Sequence, residues 1–229
     1  MPSENGEPRA PSFRLLLITD RHALSGRISD VFRDLIEAVE AAVSVAPRGS
    51  VAVMLREKDL TGARLLDLAD GLRAATRAAG APFLVNDRVD VALAAGACGV
   101  HLPAVGLPPN AVRDLLGSQA LIGVSTHSAE EVLQAEEGGA SYVTFGPVFE
   151  TPSKRRYGPP VGIESLREVT SRTKGRGFPV FGLGGITSPK EAERVMGAGA
   201  AGVAFIRAVV GAEDPAAALT TFKAPLGLE

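Results

Sequence analysis

The sequence is poor in several features, and each shortage excludes a class of protein. Only one cysteine, Cys98, stands among the 229 residues, so no internal disulfide can form. No apolar stretch approaches the roughly 20 residues that a helix needs to cross a bilayer. Lysines and arginines number 24 and acidic residues 26, a near balance that gives no long-range field to attract nucleic acid or an anionic membrane. We therefore expect neither nucleic acid nor a membrane as a partner.

The start of the chain lacks the order of a secretory signal. Met1–Ser12 is rich in proline, glutamate and serine, with no charged segment followed by an apolar one. We interpret residues 1–12 as a flexible tail, and residues 13–229 as one folded domain of a cytoplasmic protein. A hydrophobic content of 45% with 22% charged residues is enough to form a substantial core.

From Phe13 onward, short apolar runs alternate with longer amphipathic stretches, which is typical of strand–helix units around a parallel sheet. The strand candidates are Arg14–Thr19, Val51–Leu55, Pro82–Val85, Gly99–Leu102, Leu121–Ser125, Tyr142–Gly146, Pro179–Gly184 and Gly202–Ile206. The segment Gly96–Val100 recurs in similar form as Gly139–Val143 and Gly199–Val203, each between a predicted helix and a predicted strand. Eight such units without a linker favour an α/β fold, a single (β/α)8 TIM barrel with a closed parallel sheet, over a doubly wound open sheet.

Polar residues follow the apolar runs, where a barrel of this kind carries its catalytic groups. Arg56 and Lys58 follow the second run, and two neighbouring cations indicate a bound anion. Asn86 and Asp87 follow the third run, and their amide and carboxylate oxygens suit a hard cation, although the same pair is common in turns. Ser125 ends the fifth run. If the barrel forms, all of these residues converge on one mouth.

Two later segments indicate phosphate handling. The seventh run ends in Gly184-Gly185 shortly before a helix start, so backbone N–H groups can approach a phosphate closely. Phosphate sites in these barrels lie after strands seven and eight, and Arg207 follows the eighth run. The long loop Glu150–Pro160 combines hydroxyls with three consecutive cations, which is typical of a lid over the mouth.

Other charged groups have simpler interpretations. We interpret Arg21, Asp59 and Arg88 as surface or salt-bridge residues and leave them out of the site. His101 and His127 are interpreted as structural histidines held by neighbours rather than as catalytic bases.

Taken together, several segments resemble the thiamine-phosphate synthase and thiazole tautomerase superfamily, over about Phe13 to Phe222. They are Leu55–Asp59, Val85–Leu93, Gly99–Leu102, Ile122–His127, Phe145–Phe149, Thr151–Lys154 and Gly184–Thr187. The resemblance implies a Mg²⁺-dependent transferase of thiamine biosynthesis. Such an enzyme couples 4-amino-5-hydroxymethyl-2-methylpyrimidine diphosphate to a thiazole phosphate and releases pyrophosphate. The implied partners are these two small molecules, and a homo-oligomer is compatible with the pattern.

The resemblance also assigns roles to residues. It implies Asp87 as the Mg²⁺ ligand, and Lys58, Ser125 and Lys154 as catalytic residues. The implied substrate-binding residues are Arg56, Lys58, Asn86, Ser125, Thr151, Ser153, Lys154, Gly162, Gly184, Gly185, Ile206 and Arg207.

The chain departs from the synthase pattern at three places. Met54 replaces a glutamine, Arg207 replaces a serine, and the run after the fourth strand ends at Gly106 without the second Mg²⁺-binding carboxylate. Leu102-Pro103 is more similar to the tautomerase branch, but Pro147 stands where that branch can carry a histidine base, and a proline ring cannot move a proton. The transferase is therefore the main hypothesis. A metal-independent thiazole tautomerase and a non-catalytic phosphate-binding relative are the alternatives.

Overall fold

The computed structural model describes residues 10–24, 30–151 and 158–229, and every predicted strand is present within them. The strands are β1 (Leu15–Ile18), β2 (Val51–Leu55), β3 (Phe83–Asn86), β4 (Gly99–Leu102), β5 (Leu121–Thr126), β6 (Tyr142–Phe145), β7 (Val180–Leu183) and β8 (Gly202–Phe205). The helices are α1 (Val31–Ser44), α2 (Gly62–Ala79), α3 (Val89–Ala95), α4 (Pro109–Leu116), α5 (Ala129–Glu137), α6 (Gly162–Lys174), α7 (Pro189–Gly197), α8 (Pro215–Thr221) and α9 (Lys223–Leu226). Most of the predicted tail lies outside these ranges, so it stays a prediction.

The strands form a closed parallel barrel in chain order, which confirms the predicted (β/α)8 architecture. Closure is made by β1 and β8, which pair in parallel with Leu15 opposite Val203. All strands therefore point their carboxyl ends to the same side of the molecule. The polar residues that follow the strands are collected there.

The strands are buried on both faces, because the barrel is filled inside and covered by helices outside. Leu15 and Leu17 belong to the layer between sheet and helices, whereas Leu16 and Ile18 belong to a separate inner cluster. This alternation follows from the two-residue period of a strand. It also decides which residues beyond each strand point towards the barrel axis.

The amino-terminal end of the barrel is filled by aromatic rings. Phe13, Tyr142 and Phe181 contact one another with ring centroids 5.1 to 5.6 Å apart, and all three are buried. Aromatic pairs at such distances add to the stability gained from burial alone. The carboxyl-terminal end is the one that carries polar side chains.

The helices cover the barrel with apolar faces whose residues recur at helical spacing. In α2 the face of Leu65, Leu68, Leu72 and Ala75 is buried. In α1 the corresponding apolar face is buried except at Val31, the first residue, which is half-buried. No helix in the described ranges is long and apolar enough to cross a membrane.

Candidate active site

Three predicted residues continue the inward-facing side of their strands at the carboxyl end. Met54 belongs to the inner cluster, and Arg56 follows it by two residues, so the side chain of Arg56 is directed to the same side. Leu84 and Asn86 are related in the same way, and Ser125 shares the inward side of β5. The strand period thus brings Arg56, Asn86 and Ser125 to one mouth, as predicted.

Arg56 is fixed at this mouth by its backbone. Its N–H donates to the Thr19 hydroxyl at 2.9 Å, which ties the end of β2 to the end of β1. Its positive charge, after burial, contributes to lowering the pKa of His101, so Arg56 acts electrostatically on the interior of the barrel. Ile206, another predicted site residue, is half-buried against the inner cluster.

Asp87 stands at the mouth in a left-handed backbone conformation, with φ of +66°. Its N–H donates to the carbonyl of His101 at 2.9 Å, so β4 holds the turn that follows β3. The side chain is exposed, and neither carboxylate oxygen accepts a hydrogen bond from the residues that the structure describes. The carboxylate is therefore available to a ligand.

His101 is a buried ring held on both sides, as expected for a structural histidine. Its Nδ1 lies 3.2 Å from the Tyr142 hydroxyl, and its Nε2 lies 3.0 Å from Ser125 Oγ and 3.3 Å from Thr144 Oγ1. Burial, with the charge of Arg56, lowers the pKa of His101 to about 3. The ring is therefore neutral under physiological conditions and is no general base at neutral pH.

The glycine turn after β7 has the properties of a phosphate site. Gly184 and Gly185 adopt φ of +100° and +68°, which disfavour any residue with a side chain. A Cβ on Gly185 would lie 2.6 Å from Cβ of Phe149 and 2.7 Å from the carbonyl oxygen of Glu150. Within the described ranges, neither glycine amide donates a hydrogen bond. Two close, uncommitted amides suit an anion.

The remaining predicted residues lie at several different places in the loops that follow β2 and β6. Lys58 lies in the exposed turn after β2, and Gly162 begins α6 with φ of +85° and open space around it. Thr151 is half-buried and lines a cavity of about 500 Å³ beneath the loop after β6, together with Phe149 and Pro160. Ser153 and Lys154 lie outside the described residues, as does most of the predicted lid.

Arg207 is directed towards the β1 side of β8. Its Nε lies 3.3 Å from Asp20 Oδ2, and the guanidinium is exposed. Because β7 and its glycine turn lie on the other side of β8, this ion pair directs Arg207 away from the candidate phosphate site. A phosphate role for Arg207 stays a prediction.

Arg21, Asp59 and Arg88 form salt bridges, as interpreted from the sequence. Arg21 pairs with Glu57 at 2.8 Å and also with Asp59, and Arg88 pairs with Asp90 at 2.5 Å. Hydrogen bonding to Arg21 holds the pKa of Asp59 well below its usual range. Buried Glu57, which sequence reasoning missed, also accepts a hydrogen bond from the Arg21 amide at 3.0 Å.

Tyr142 and Thr144, which face the barrel interior from β6, were not among the predicted site residues. Both stand at alternate positions of a predicted strand, so their shared side was readable. Their contact with His101 spans more than 40 residues of sequence and depends on the barrel closing.

Comparison with known proteins decides the family. A family model described as thiamine monophosphate synthase matches residues 15–209. The chain belongs to that family. A protein of Geobacter sulfurreducens is 49% identical over 203 residues, with 89% of each chain covered. A thiamine-phosphate synthase of Roseiflexus castenholzii is 44% identical over 202 residues, covering 88% of this chain and 83% of that protein.

A solved structure supports membership of the thiamine monophosphate synthase family at the level of the fold. Thiamine phosphate pyrophosphorylase from Pyrococcus furiosus is 33% identical, with a TM-score of 0.78 over 95% of this chain and 96% of the other. The present family member differs from the synthase pattern at Met54, which is buried beneath Arg56. Gly106 lies in the exposed loop after β4, and Pro103–Pro108 contains no carboxylate.

Proposed function

We propose that this protein is a thiamine-phosphate synthase, which couples the pyrimidine diphosphate to a thiazole phosphate and releases pyrophosphate. The observation that carries the proposal is the convergence of Arg56, Asn86 and Ser125 on one mouth, beside the amides of Gly184 and Gly185, which donate no hydrogen bond within the described ranges. A cation and neutral donors facing one opening suit two phosphorylated substrates. Homologues with this activity in their names cover most of the chain.

In the reaction, the bond between the pyrimidine methylene carbon and the diphosphate oxygen breaks, and its electron pair leaves with pyrophosphate. The methylene cation is stabilised by the electron-rich ring, and the lone pair of the thiazole nitrogen forms the new C–N bond. No protein nucleophile is required. Arg56 and Lys58 would neutralise charge developing on the leaving group, and the predicted Lys154 would add to this when the loop covers the mouth.

The glycine turn would hold the thiazole phosphate. The amides of Gly184 and Gly185 can donate to phosphate oxygens, and their lack of side chains lets the backbone come close. Thr151, Ser153, Gly162 and Ile206 complete the proposed contacts of the substrates. Arg207 would have to leave Asp20 to join them.

Few protein donors are available to a magnesium ion at the mouth. Within the described residues, no group of three His, Cys, Asp or Glu side chains is placed to hold a metal. Mg²⁺ usually takes one or two carboxylates and completes its coordination with water and substrate phosphates. Asp87 is exposed and its carboxylate accepts no hydrogen bond from the described residues, which satisfies that minimum. Asp87 would therefore hold Mg²⁺ together with the diphosphate, and the ion would offset the charge of the leaving group.

The alternatives have less support. A tautomerase needs a proton-transferring base at the mouth, but buried His101 is committed to three hydroxyls and is neutral, and Pro147 occupies the matching place. His127 is exposed and hydrogen-bonded to Glu131.

Both substrates of the proposed reaction are phosphorylated and do not cross bilayers unaided, which supports a cytoplasmic location.

The test is a coupling assay with the purified full-length chain. Both substrates together with Mg²⁺ should yield thiamine phosphate and one equivalent of pyrophosphate, and omission of either substrate should give none. Replacing Arg56 with glutamine should lower the rate about 100-fold, because one charge-stabilising donor is lost. Arg64→Gln, on the outer helix α2, is the matched control. Absence of thiamine phosphate across a Mg²⁺ titration would reject the proposal.

A further inference from the structure

His101, Tyr142 and Ser125 form a continuous hydrogen-bonded chain from the barrel interior to the mouth. Tyr142 and His101 are buried, whereas Ser125 is half-buried and reaches the open end. The Tyr142 hydroxyl lies 3.2 Å from His101 Nδ1, and Ser125 Oγ lies 3.0 Å from His101 Nε2. Because a neutral imidazole carries one proton, it donates at one nitrogen and accepts at the other. The nitrogen that carries this proton therefore determines which side chain donates and which accepts in each of these hydrogen bonds.

The partners of the ring decide which nitrogen carries the proton. The Tyr142 hydroxyl contacts no other polar group among the described residues, so its proton is satisfied only if Nδ1 accepts it. A phenol is more acidic than an aliphatic hydroxyl, and is therefore the better donor and the poorer acceptor. Nε2 then carries the imidazole proton and donates to Ser125 Oγ, with Thr144 Oγ1 sharing it at 3.3 Å.

The direction of the chain fixes what Ser125 can offer a ligand. Its oxygen accepts from Nε2, and within the described ranges no other group accepts its hydroxyl proton. We infer that Tyr142 and His101 are positioning residues that orient the Ser125 hydroxyl as a hydrogen-bond donor towards an acceptor atom of the bound ligand. The inference rests on the proposed function for the identity of that atom: the pyrimidine of the first substrate carries ring nitrogens that can accept this bond, and we assign one of them to Ser125.

Gly123 makes the arrangement possible. It lies on β5 between the strands of His101 and Tyr142, and the two rings meet above it. A Cβ at this position would lie 2.3 Å from His101 Nδ1 and 2.3 Å from Tyr142 Cζ. The contact between the rings therefore depends on the missing side chain.

The first test measures which nitrogen of the His101 imidazole carries the proton, in the protein without ligand. Nitrogen-15 NMR of histidine-labelled protein should show His101 with a protonated Nε2 and an unprotonated Nδ1. In Tyr142→Phe the donor to Nδ1 is lost, and we expect both tautomers to be populated. A wild-type His101 protonated at Nδ1 would overturn the inference, as would an unchanged spectrum in the variant.

The second test asks whether Tyr142 acts through Ser125. Tyr142→Phe should lower kcat/KM for the pyrimidine diphosphate about tenfold, roughly the value of one hydrogen bond, and leave KM for the thiazole phosphate unchanged. In a Ser125→Ala background the same change should have no further effect. Thr126→Val is the matched control, because it also removes one buried hydroxyl, which donates to the Thr144 carbonyl at 3.0 Å. An equal loss in both backgrounds would show a merely structural role and reject the inference.

The two tests separate this inference from the proposed function. If the coupling assay fails while the NMR tautomer is as expected, the hydroxyl still donates outward and the ligand is a different acceptor. If coupling succeeds and His101 is protonated at Nδ1, the proposed function stands and the positioning role is wrong.

Discussion

Asp87 occupies a backbone conformation that few residues with side chains adopt. Left-handed φ values are tolerated best by glycine, and after it by asparagine and aspartate. The turn is held by the hydrogen bond from the Asp87 amide to His101 and by a second from the Val89 amide to the Asp87 carbonyl at 3.1 Å. An exposed carboxylate kept in a strained turn at the mouth is consistent with a functional role.

Replacing Asp87 with asparagine tests this role without disturbing the turn. We expect the rate of pyrophosphate release to fall about 100-fold or more, because the carboxylate proposed to hold the metal is lost. The free energy of unfolding should change by less than about 0.5 kcal/mol, since asparagine also tolerates this φ. Asp90→Asn, three residues further along and paired with Arg88, is the control. A wild-type rate in Asp87→Asn would remove the metal role.

Alanine at Gly185 tests the glycine turn. The positive φ costs about 1–2 kcal/mol for any residue with a Cβ, and here the Cβ also collides with Phe149 and the Glu150 carbonyl. Gly177→Ala is a matched control, because Gly177 has φ of +67° and nothing within 4 Å of a new Cβ. Both variants should lose stability in thermal melts, but only Gly185→Ala should raise KM for the thiazole phosphate. Equal KM values in the two variants would contradict the phosphate site.

Several site residues were predictable from the sequence because they follow apolar runs. Arg56, Asn86 and Ser125 stand at positions where the strand period and the closed barrel together determine the direction of the side chain. The direction of Arg207 was not predictable, because its ion pair with Asp20 joins the two ends of the sequence. The contact between Tyr142 and His101 depends equally on the closed sheet.

At the scale of the element, the start of α7 is held by one side chain. The carboxylate of Glu191 accepts from the amides of Thr187 and Ser188 at 2.6 and 2.9 Å, and Ser188 forms the reciprocal half of a capping box. This arrangement occupies the amides of Thr187 and Ser188, whereas the amides of Gly184 and Gly185 donate no hydrogen bond within the described ranges. Burial would raise the pKa of Glu191, but these hydrogen bonds outweigh it and lower the pKa.

Glu191→Gln should change the pH dependence of stability. A carboxyl with a lowered pKa in the folded state stabilises the protein fully above its unfolded-state pKa, and this stabilisation is lost as the pH falls through the lower folded-state value. Below about pH 4.5, wild-type stability should therefore fall more steeply than that of Glu191→Gln. Glu191→Ala, which loses the cap entirely, should be less stable by about 1 kcal/mol at neutral pH. Parallel pH curves from urea unfolding would contradict this role.

The strands were predicted to within two residues because each is a compact apolar run buried on both faces. The helices after β3 and β4 were harder to define, since α3 and α4 have only seven and eight residues and carry exposed apolar side chains such as Leu93 and Leu115. Short helices give too few turns for a clear 3.6-residue period.

At the scale of the whole molecule, the buried His101 ring makes the barrel sensitive to acid. The unfolded chain binds a proton at this residue below about pH 6.5, whereas the folded protein resists protonation until about pH 3. Between these values stability should fall as the pH is lowered, with this residue contributing up to about 1.4 kcal/mol per pH unit.

Urea unfolding of His101→Gln measures this contribution. Glutamine cannot titrate at this position, so the slope of unfolding free energy against pH should be shallower in the variant than in the wild type between pH 6.5 and 4. His127→Gln, which removes an exposed histidine, is the control and should leave the slope nearly unchanged. Identical slopes in wild type and His101→Gln would show that the folded protein binds this proton as readily as the unfolded chain.

The aromatic rings at the amino-terminal end of the barrel affect the order in which the substrates can bind. Phe13, Tyr142 and Phe181 close that end, so a ligand reaches the barrel interior from the carboxyl-terminal end. In the proposed reaction, the pyrimidine that contacts Ser125 therefore enters before the thiazole phosphate held nearer the rim, and after coupling the two rings leave together as thiamine phosphate. The depth at which each substrate is held thereby determines the order in which the two substrates bind.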